Sequence, residues 1–198
     1  MRIGVYSGSF DPIHTGHAMV ANYVAQWGGV DEVWLLVSRQ NPLKGDHSPL
    51  SDEHRLAMVR LVAEECDGVM ASDFEFHLPV PSYTYVTLTK LREHYPQHEF
   101  TLIVGSDNWV NFGRWRDAHK IIKEFGLLIY PRPGYDVPET PPEGVEVIGN
   151  GPTSFISSTF IREALKEGAN VNFFVPLNVS KYIREHNLYA PDSEQIKS

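Results

Sequence analysis

Apolar and polar positions follow two rhythms along the chain. Compact aliphatic runs recur at Arg2–Tyr6, Glu32–Val37, Phe100–Val104 and Gly126–Tyr130, and each reads as a strand. Val69–Phe76 and Val145–Ile148 read as two more. The run FTLIV at 100–104 has no polar alternation, which predicts a strand covered on both faces. Between these runs the spacing turns helical at Gly16–Trp27, Ser51–Cys66, Thr84–His94, Ala118–Lys123, Thr159–Lys166 and Val179–His186. Ser51 ahead of Asp52 and Glu53 is the chemistry of a capped helix start, and Gly168 supplies a stop after Lys166. Pro- and Glu-rich Asp136–Gly144 reads as a surface loop. Strand and helix alternating in this order predict an α/β fold, a doubly wound parallel sheet with helices on both faces. The expectation is one domain over residues 1–189, with 190–198 as a frayed tail.

In such a sheet ligands bind beyond the carboxyl ends of the strands, near the point where strand order reverses. Three chemistry-bearing segments fall at such ends. The first is Gly8-Ser9-Phe10-Asp11-Pro12-Ile13-His14-Thr15-Gly16-His17. Gly8 permits backbone angles closed to other residues, Asp11-Pro12 starts a turn, and Thr15 or a neighbour caps the next helix. A helix start offers unpaired N–H groups, and His14 and His17, three apart, share one opening. By itself this H-x-x-H fits a capped helix with two half-exposed histidines, a metal pair or an anion-handling corner. No cysteine or carboxylate stands at a spacing that supports the metal. The second segment is Gly105-Ser106-Asp107, and the third precedes Thr159.

Composition narrows the partners. A chain of 198 residues, 42% hydrophobic and 21% charged, folds without a staple. The net charge of −8 opposes nucleic acid and acidic membranes. A small anionic substrate is still allowed, provided that positive groups are concentrated locally. Cys66 is the only cysteine, so no internal disulfide forms; with Leu56, Val59 and Val62 on the same predicted face, it is expected to be a core thiol. There is no basic-then-apolar leader and no apolar run of about 18 residues, which predicts a cytoplasmic protein without a membrane partner. Neither G-x-G-x-x-G nor a Walker A loop follows the first strand, which argues against a nicotinamide-dependent oxidoreductase.

The ten-residue string resembles the G-x-F-D-P-x-H-x-G-H signature of the nucleotidylyltransferase superfamily. Ile156-Ser157-Ser158-Thr159-Phe160-Ile161-Arg162 resembles its second mark, I-S-S-T-x-I-R. Taken alone the second segment is a Ser-capped helix with an arginine; its hydroxyls, helix start and fixed guanidinium also suit a polyphosphate. Four further segments are similar to those of the bacterial nicotinate mononucleotide adenylyltransferases: Asn41-Pro42-Leu43-Lys44, Pro81-Ser82-Tyr83-Thr84, Gly105-Ser106-Asp107-Asn108, and Trp115, where the family stacks the pyridine ring. Ser82 or Thr84 is also a plain helix cap, and Trp109, Phe112 and Trp115 at spacing three also fit a core stripe, although Gly113, Arg114 and Arg116 interrupt it. The chain departs from the family where Leu78-Pro79-Val80 precedes the P-S-Y-T, where Val86 replaces a common Asp, and where Arg116 replaces a common Tyr.

The resemblance implies a Rossmann-like fold and transfer of adenylyl from ATP to nicotinate mononucleotide, with nicotinamide mononucleotide as the alternative acceptor. A silent nucleotide-binding module is the alternative of another class. It implies His14, His17 and Arg162 as catalytic. It implies an ATP site from Gly8, Ser9, Phe10, His14, Gly16, His17, Gly105, Asp107, Ile156, Ser157, Ser158, Thr159 and Arg162. For the mononucleotide it implies Ser9, Phe10, Lys44, Thr84, Tyr85, Asp107, Trp115 and Arg116. Mg²⁺ is expected on phosphate oxygens and water rather than in a protein cage. The pattern leaves the oligomeric state open, a homodimer being one option.

Overall fold

The computed structural model describes residues 1–39, 50–149 and 151–190. Six parallel strands form one sheet in the order β3-β2-β1-β4-β5-β6: β1 Arg2–Gly8, β2 Glu32–Val37, β3 Val69–Ser72, β4 Glu99–Gly105, β5 Leu127–Tyr130 and β6 Val145–Val147. The helices are α1 Thr15–Trp27, α2 Asp52–Ala63, α3 Thr84–His94, α4 Ser106–Trp109, α5 Ala118–Phe125, α6 Ser158–Lys166 and α7 Leu177–Glu185. None of the described helices is long and apolar enough to cross a membrane.

Strand side chains divide between two cores by the two-residue period of the pleat. Val33, Leu35 and Val37 of β2, Ile103 of β4 and Leu128 of β5 pack with α1, α2, α6 and α7 on one face. Ile3 and Val5 of β1, Leu102 and Val104 of β4 and Ile129 of β5 pack with α3 and α5 on the other. Both faces are covered, so β4 needs no polar alternation. A central residue such as Leu102, 1% exposed, contributes about 1.5–3 kcal/mol by burial.

Two sequence expectations need correction. The strand expected over Val69–Phe76 ends at Ser72, because pairing with β2 stops at Leu36, and the chain then coils into a 3₁₀ turn at Phe74–His77. The helix expected to reach Cys66 ends at Ala63; Cys66 sits in the following turn, half-buried, its thiol 3.3 Å from Asn22 Oδ1. It packs against the edge of the core rather than inside it. The neighbour of Thr15 that caps α1 is His14, as the sequence allowed. The tail expected to fray at 190–198 lies, apart from Ala190, outside the described residues.

The order in which strands are added reverses between β1 and β4. Gly8 ends one strand and Gly105 the other, and the cavity opens between them.

Candidate active site

The corner after β1 is built around Phe10. Its ring is 1% exposed and meets Tyr6 edge-on at 5.8 Å and His17 at 5.1 Å. Gly8 leaves room for it: a Cβ there would lie 3.1 Å from the ring. The need at Gly8 is therefore space rather than an unusual backbone angle. Phe10 itself holds φ at 47°, a region that side chains rarely occupy.

His14 and His17 form a reciprocal cap at the start of α1. The His17 backbone N–H donates to His14 Nδ1 at 3.3 Å, and the His14 N–H donates to His17 Nδ1 at 3.4 Å. The rings stack at 3.7 Å. A backbone N–H only donates, so each Nδ1 accepts and the proton of each neutral ring sits on Nε2. His14 is 1% exposed; burial, reinforced by the Arg132 charge, pulls its pKa down to about 3. Several N–H groups expected to cradle phosphate are already used: Thr15 donates to Phe174 O, and His17 and Ala18 to His14 O.

The I-S-S-T segment meets this corner directly. Arg162 Nη1 donates to Asp11 O at 2.7 Å and Ser158 Oγ to Pro12 O at 2.9 Å. The Tyr189 hydroxyl reaches Asp11 Oδ1 at 2.5 Å. Ser157 caps α6 through the Phe160 N–H, and the second Arg162 nitrogen lies 3.3 Å from Thr159 Oγ1. Segments about 150 positions apart thus close one mouth.

At the other strand end Gly105 is again a matter of space. A Cβ there would meet Asp107 Oδ1 at 2.3 Å and Arg132 Cδ at 2.8 Å. Arg132 Nη1 pairs with Asp107 Oδ2 at 3.2 Å, and Ser106 Oγ accepts the Arg132 N–H at 2.8 Å. Asp107 Oδ1 is buried without a hydrogen-bond partner among the described residues.

The cavity between these ends has a volume of about 1000 Å³. Most of the expected site residues line it: Gly8, Ser9, Phe10, His14, His17, Thr84, Gly105, Asp107, Trp115, Arg116, Ser157, Ser158, Thr159 and Arg162. Gly16, Ile156 and Tyr85 do not. Gly16 lies against the His14 ring, where a Cβ would stand at 3.1 Å. Ile156 packs on the core. The Tyr85 hydroxyl turns to Glu124 at 2.9 Å, with Lys120 over its ring. Lys44 lies outside the described residues. Trp115 is half-buried and tilts against Phe112, which is core at 2% exposure; the stripe is thus part packing and part cavity wall.

Sequence reasoning missed Arg132, Arg55, Arg39 and Glu75. Arg132 followed a proline and preceded another, which reads as a chain break. Arg55 reads as a solvated charge on α2 by residue type, yet it is 0% exposed and donates to Ser9 O at 2.6 Å, Ser38 O at 2.7 Å and Asp52. It ties the ends of β1 and β2 under the cavity. The Ser82 hydroxyl, expected as a cap for α3, bonds Glu75 instead; the cap residue is Tyr83, without a side-chain cap bond.

The cytidylyltransferase-like family model matches residues 5–164. A protein of Bacteroides thetaiotaomicron named "Probable nicotinate-nucleotide adenylyltransferase" is 50% identical over 187 residues, 94% of this chain and 92% of the relative. A protein of Flavobacterium johnsoniae bearing the same name is 41% identical over 196 residues, 96% of this chain and 99% of the relative. The structure of Plasmodium falciparum nicotinic acid mononucleotide adenylyltransferase complexed with NaAD matches with a TM-score of 0.80 at 25% identity, covering 95% of this chain and 97% of that one. A second structure of that enzyme, complexed with APC, matches at 0.79. Sequence likeness at this level, along nearly the full length of both partners, puts the chain in the cytidylyltransferase-like family and, within it, among the nicotinate-nucleotide adenylyltransferases.

Proposed function

We propose that the cavity holds ATP and nicotinate mononucleotide together and transfers the adenylyl group between them, giving nicotinate adenine dinucleotide and pyrophosphate, a step of NAD biosynthesis. The observation that carries this reading is the single mouth in which two imidazoles and the Arg162 guanidinium face one cavity across the Asp11 and Pro12 carbonyls.

A phosphate oxygen of the mononucleotide attacks the α-phosphorus of ATP as the bond to the bridging oxygen breaks, and pyrophosphate departs with that electron pair. The two reactants are both anions, so positioning and charge neutralisation dominate. His17 donates Nε2–H to an α-phosphoryl oxygen as charge develops there. His14, held neutral, gives Nε2–H to the β- and γ-phosphates alongside Ser158, Thr159 and Arg162. The unpartnered oxygen of Asp107 accepts a ribose hydroxyl. Trp115 faces the pyridine ring, and the start of α3 at Thr84, with Arg116 stacked on Tyr83 at 4.6 Å, receives the ring carboxylate.

Among the described residues no three His, Cys, Asp or Glu side chains converge on one point. The cavity carboxylates Asp11, Glu75 and Asp107 bond Tyr189, Ser82 and Arg132. This donor set fits Mg²⁺ brought in on the triphosphate and held by phosphate oxygens and water. When bound, it neutralises charge on the departing pyrophosphate. The cytoplasm suits a chain whose one cysteine has no partner to oxidise with.

The test is side-by-side turnover of nicotinate and nicotinamide mononucleotides with Mg²⁺-ATP, reading pyrophosphate release and dinucleotide mass. Faster turnover of the acid is expected. No dinucleotide from either acceptor would refute the reading.

A further inference from the structure

Two buried polar side chains under the mononucleotide end of the cavity have no part in the phosphate chemistry. Glu75, on the 3₁₀ turn after β3, is 5% exposed and lines the cavity; Ser82, 6% exposed, lines it too and donates its hydroxyl to Glu75 Oε1. Burial drives the Glu75 carboxyl up to about 7. The Ser82 bond and the Arg55 charge oppose that rise, and the Asp52 charge adds to it. A carboxyl placed so unfavourably in a cleft has a use that offsets its desolvation. Ser82 is also the residue that the local sequence offers as a helix cap. It is turned down to Glu75 instead, and α3 starts at Tyr83 with no side-chain cap. The set of the Tyr83–Thr84 backbone therefore depends on a bond to another element.

We propose that Glu75 is a positioning residue for the mononucleotide, acting through Ser82 on the Tyr83–Thr84 start of α3. The proposal rests on the reading above that the pyridine end of the substrate lies at this helix start. The grip has two sides, since Arg116 sits over the Tyr83 ring from the cavity rim while Glu75 holds Ser82 from below. It is also anchored: the charge of Arg55 bears on Glu75, and the same guanidinium holds the Ser9 carbonyl at the phosphate corner. Glu75 touches no reacting atom in this scheme. Its loss therefore shows in the KM for the mononucleotide and leaves kcat and the KM for ATP alone.

Steady-state kinetics on the wild type, Glu75→Ala, Ser82→Ala, the double variant and Glu75→Gln tests this. Each single alanine is expected to raise the mononucleotide KM about tenfold, the effect of losing one buried hydrogen bond. The KM for ATP and kcat stay within about twofold. The double variant is no worse than either single, because the two side chains act as one unit. Glu75→Gln restores the KM, its amide oxygen accepting the Ser82 hydroxyl. An additive double variant, a glutamine no better than alanine, or an equal rise in the KM for ATP would overturn the proposal. Should Glu75→Ala fail to fold, Ser82→Ala and Glu75→Gln still decide it: the first must raise the KM and the second must not. A wild type that makes no dinucleotide sinks the functional reading and this proposal with it; an active wild type without the KM split sinks the role of Glu75 alone.

Discussion

A histidine at a phosphate site is commonly taken for a cation, and His14 is not one. At 1% exposure, stacked on His17 and facing the Arg132 charge, its ring stays neutral through the physiological range. What the pair offers is directed donors, each Nε2–H fixed by the backbone bond at its Nδ1. His17→Ala removes the donor assigned to the α-phosphoryl oxygen and should lower kcat by about 10²–10⁴, roughly 3–5 kcal/mol of barrier, with a near-native melting curve. A fully active alanine variant would end that assignment. Glu75 gives a prediction of the opposite kind, on stability. Its pKa is about 7 in the folded chain against an ordinary 4.5, so between those values the folded state keeps a proton that the unfolded state has released. Stability then falls as pH rises across that window and stays lower above it. Glu75→Gln removes the penalty. It should melt higher than wild type at pH 8, by on the order of 2–3 kcal/mol, with the gain gone near pH 4.5. Melting curves at pH 5 and 8 check this; a constant offset between the two proteins would disprove it.

At the scale of elements, two glycines set the strand ends by what they leave out. Gly105→Ala would push a methyl into the Asp107–Arg132 pair. The fold should survive, since β4 continues unchanged, while the KM for ATP rises about tenfold or more as the ribose acceptor moves. Kinetics with a circular dichroism spectrum alongside would show it; an unaltered KM would mean that Asp107 does not meet the nucleotide. The order of elements was legible because strands covered on both faces, such as β4 and β5, read as continuous apolar runs, while the helices carry a period of 3.6. The three chemistry-bearing segments were legible as a site because they lie at strand ends. The hidden part is the material that holds those segments in place. Arg55 has the spacing of the buried face of α2, four residues before Val59 and seven before Val62, but its charge reads as solvated, and Arg132 sits between prolines. Only the fold turns the first under Ser9 and the second toward Asp107. Ser82 looked like a cap because sequence shows its neighbours in the chain and not Glu75, seven residues back and across the cavity floor. Tyr85 was misplaced for a simpler reason: one step along α3 from Thr84 turns a side chain about 100°, from the cavity to Glu124.

For the molecule as a whole, the charge balance and the substrates pull in opposite directions. The chain carries a net charge of −8, yet both proposed substrates are anions. The fold answers by gathering Arg39, Arg114, Arg116, Arg132 and Arg162 on the cavity wall, against the carboxyls of Asp11, Glu75 and Asp107. Burial and its pKa near 7 leave Glu75 only partly charged at neutral pH, so arginines outnumber carboxylates along the cavity lining of a negative molecule. A field of that shape draws an anion in and is screened within about 10 Å at 0.1 M salt. The value of kcat/KM for nicotinate mononucleotide should therefore fall several-fold between about 0.01 and 0.3 M NaCl at constant Mg²⁺. Arg114→Ala, which removes one charge from the rim, should lower the value in dilute salt and flatten the dependence. The amide analogue, nicotinamide mononucleotide, carries one fewer negative charge and should respond less steeply. Equal slopes for the two acceptors would show that the arginines hold bound phosphates without drawing the substrate toward them.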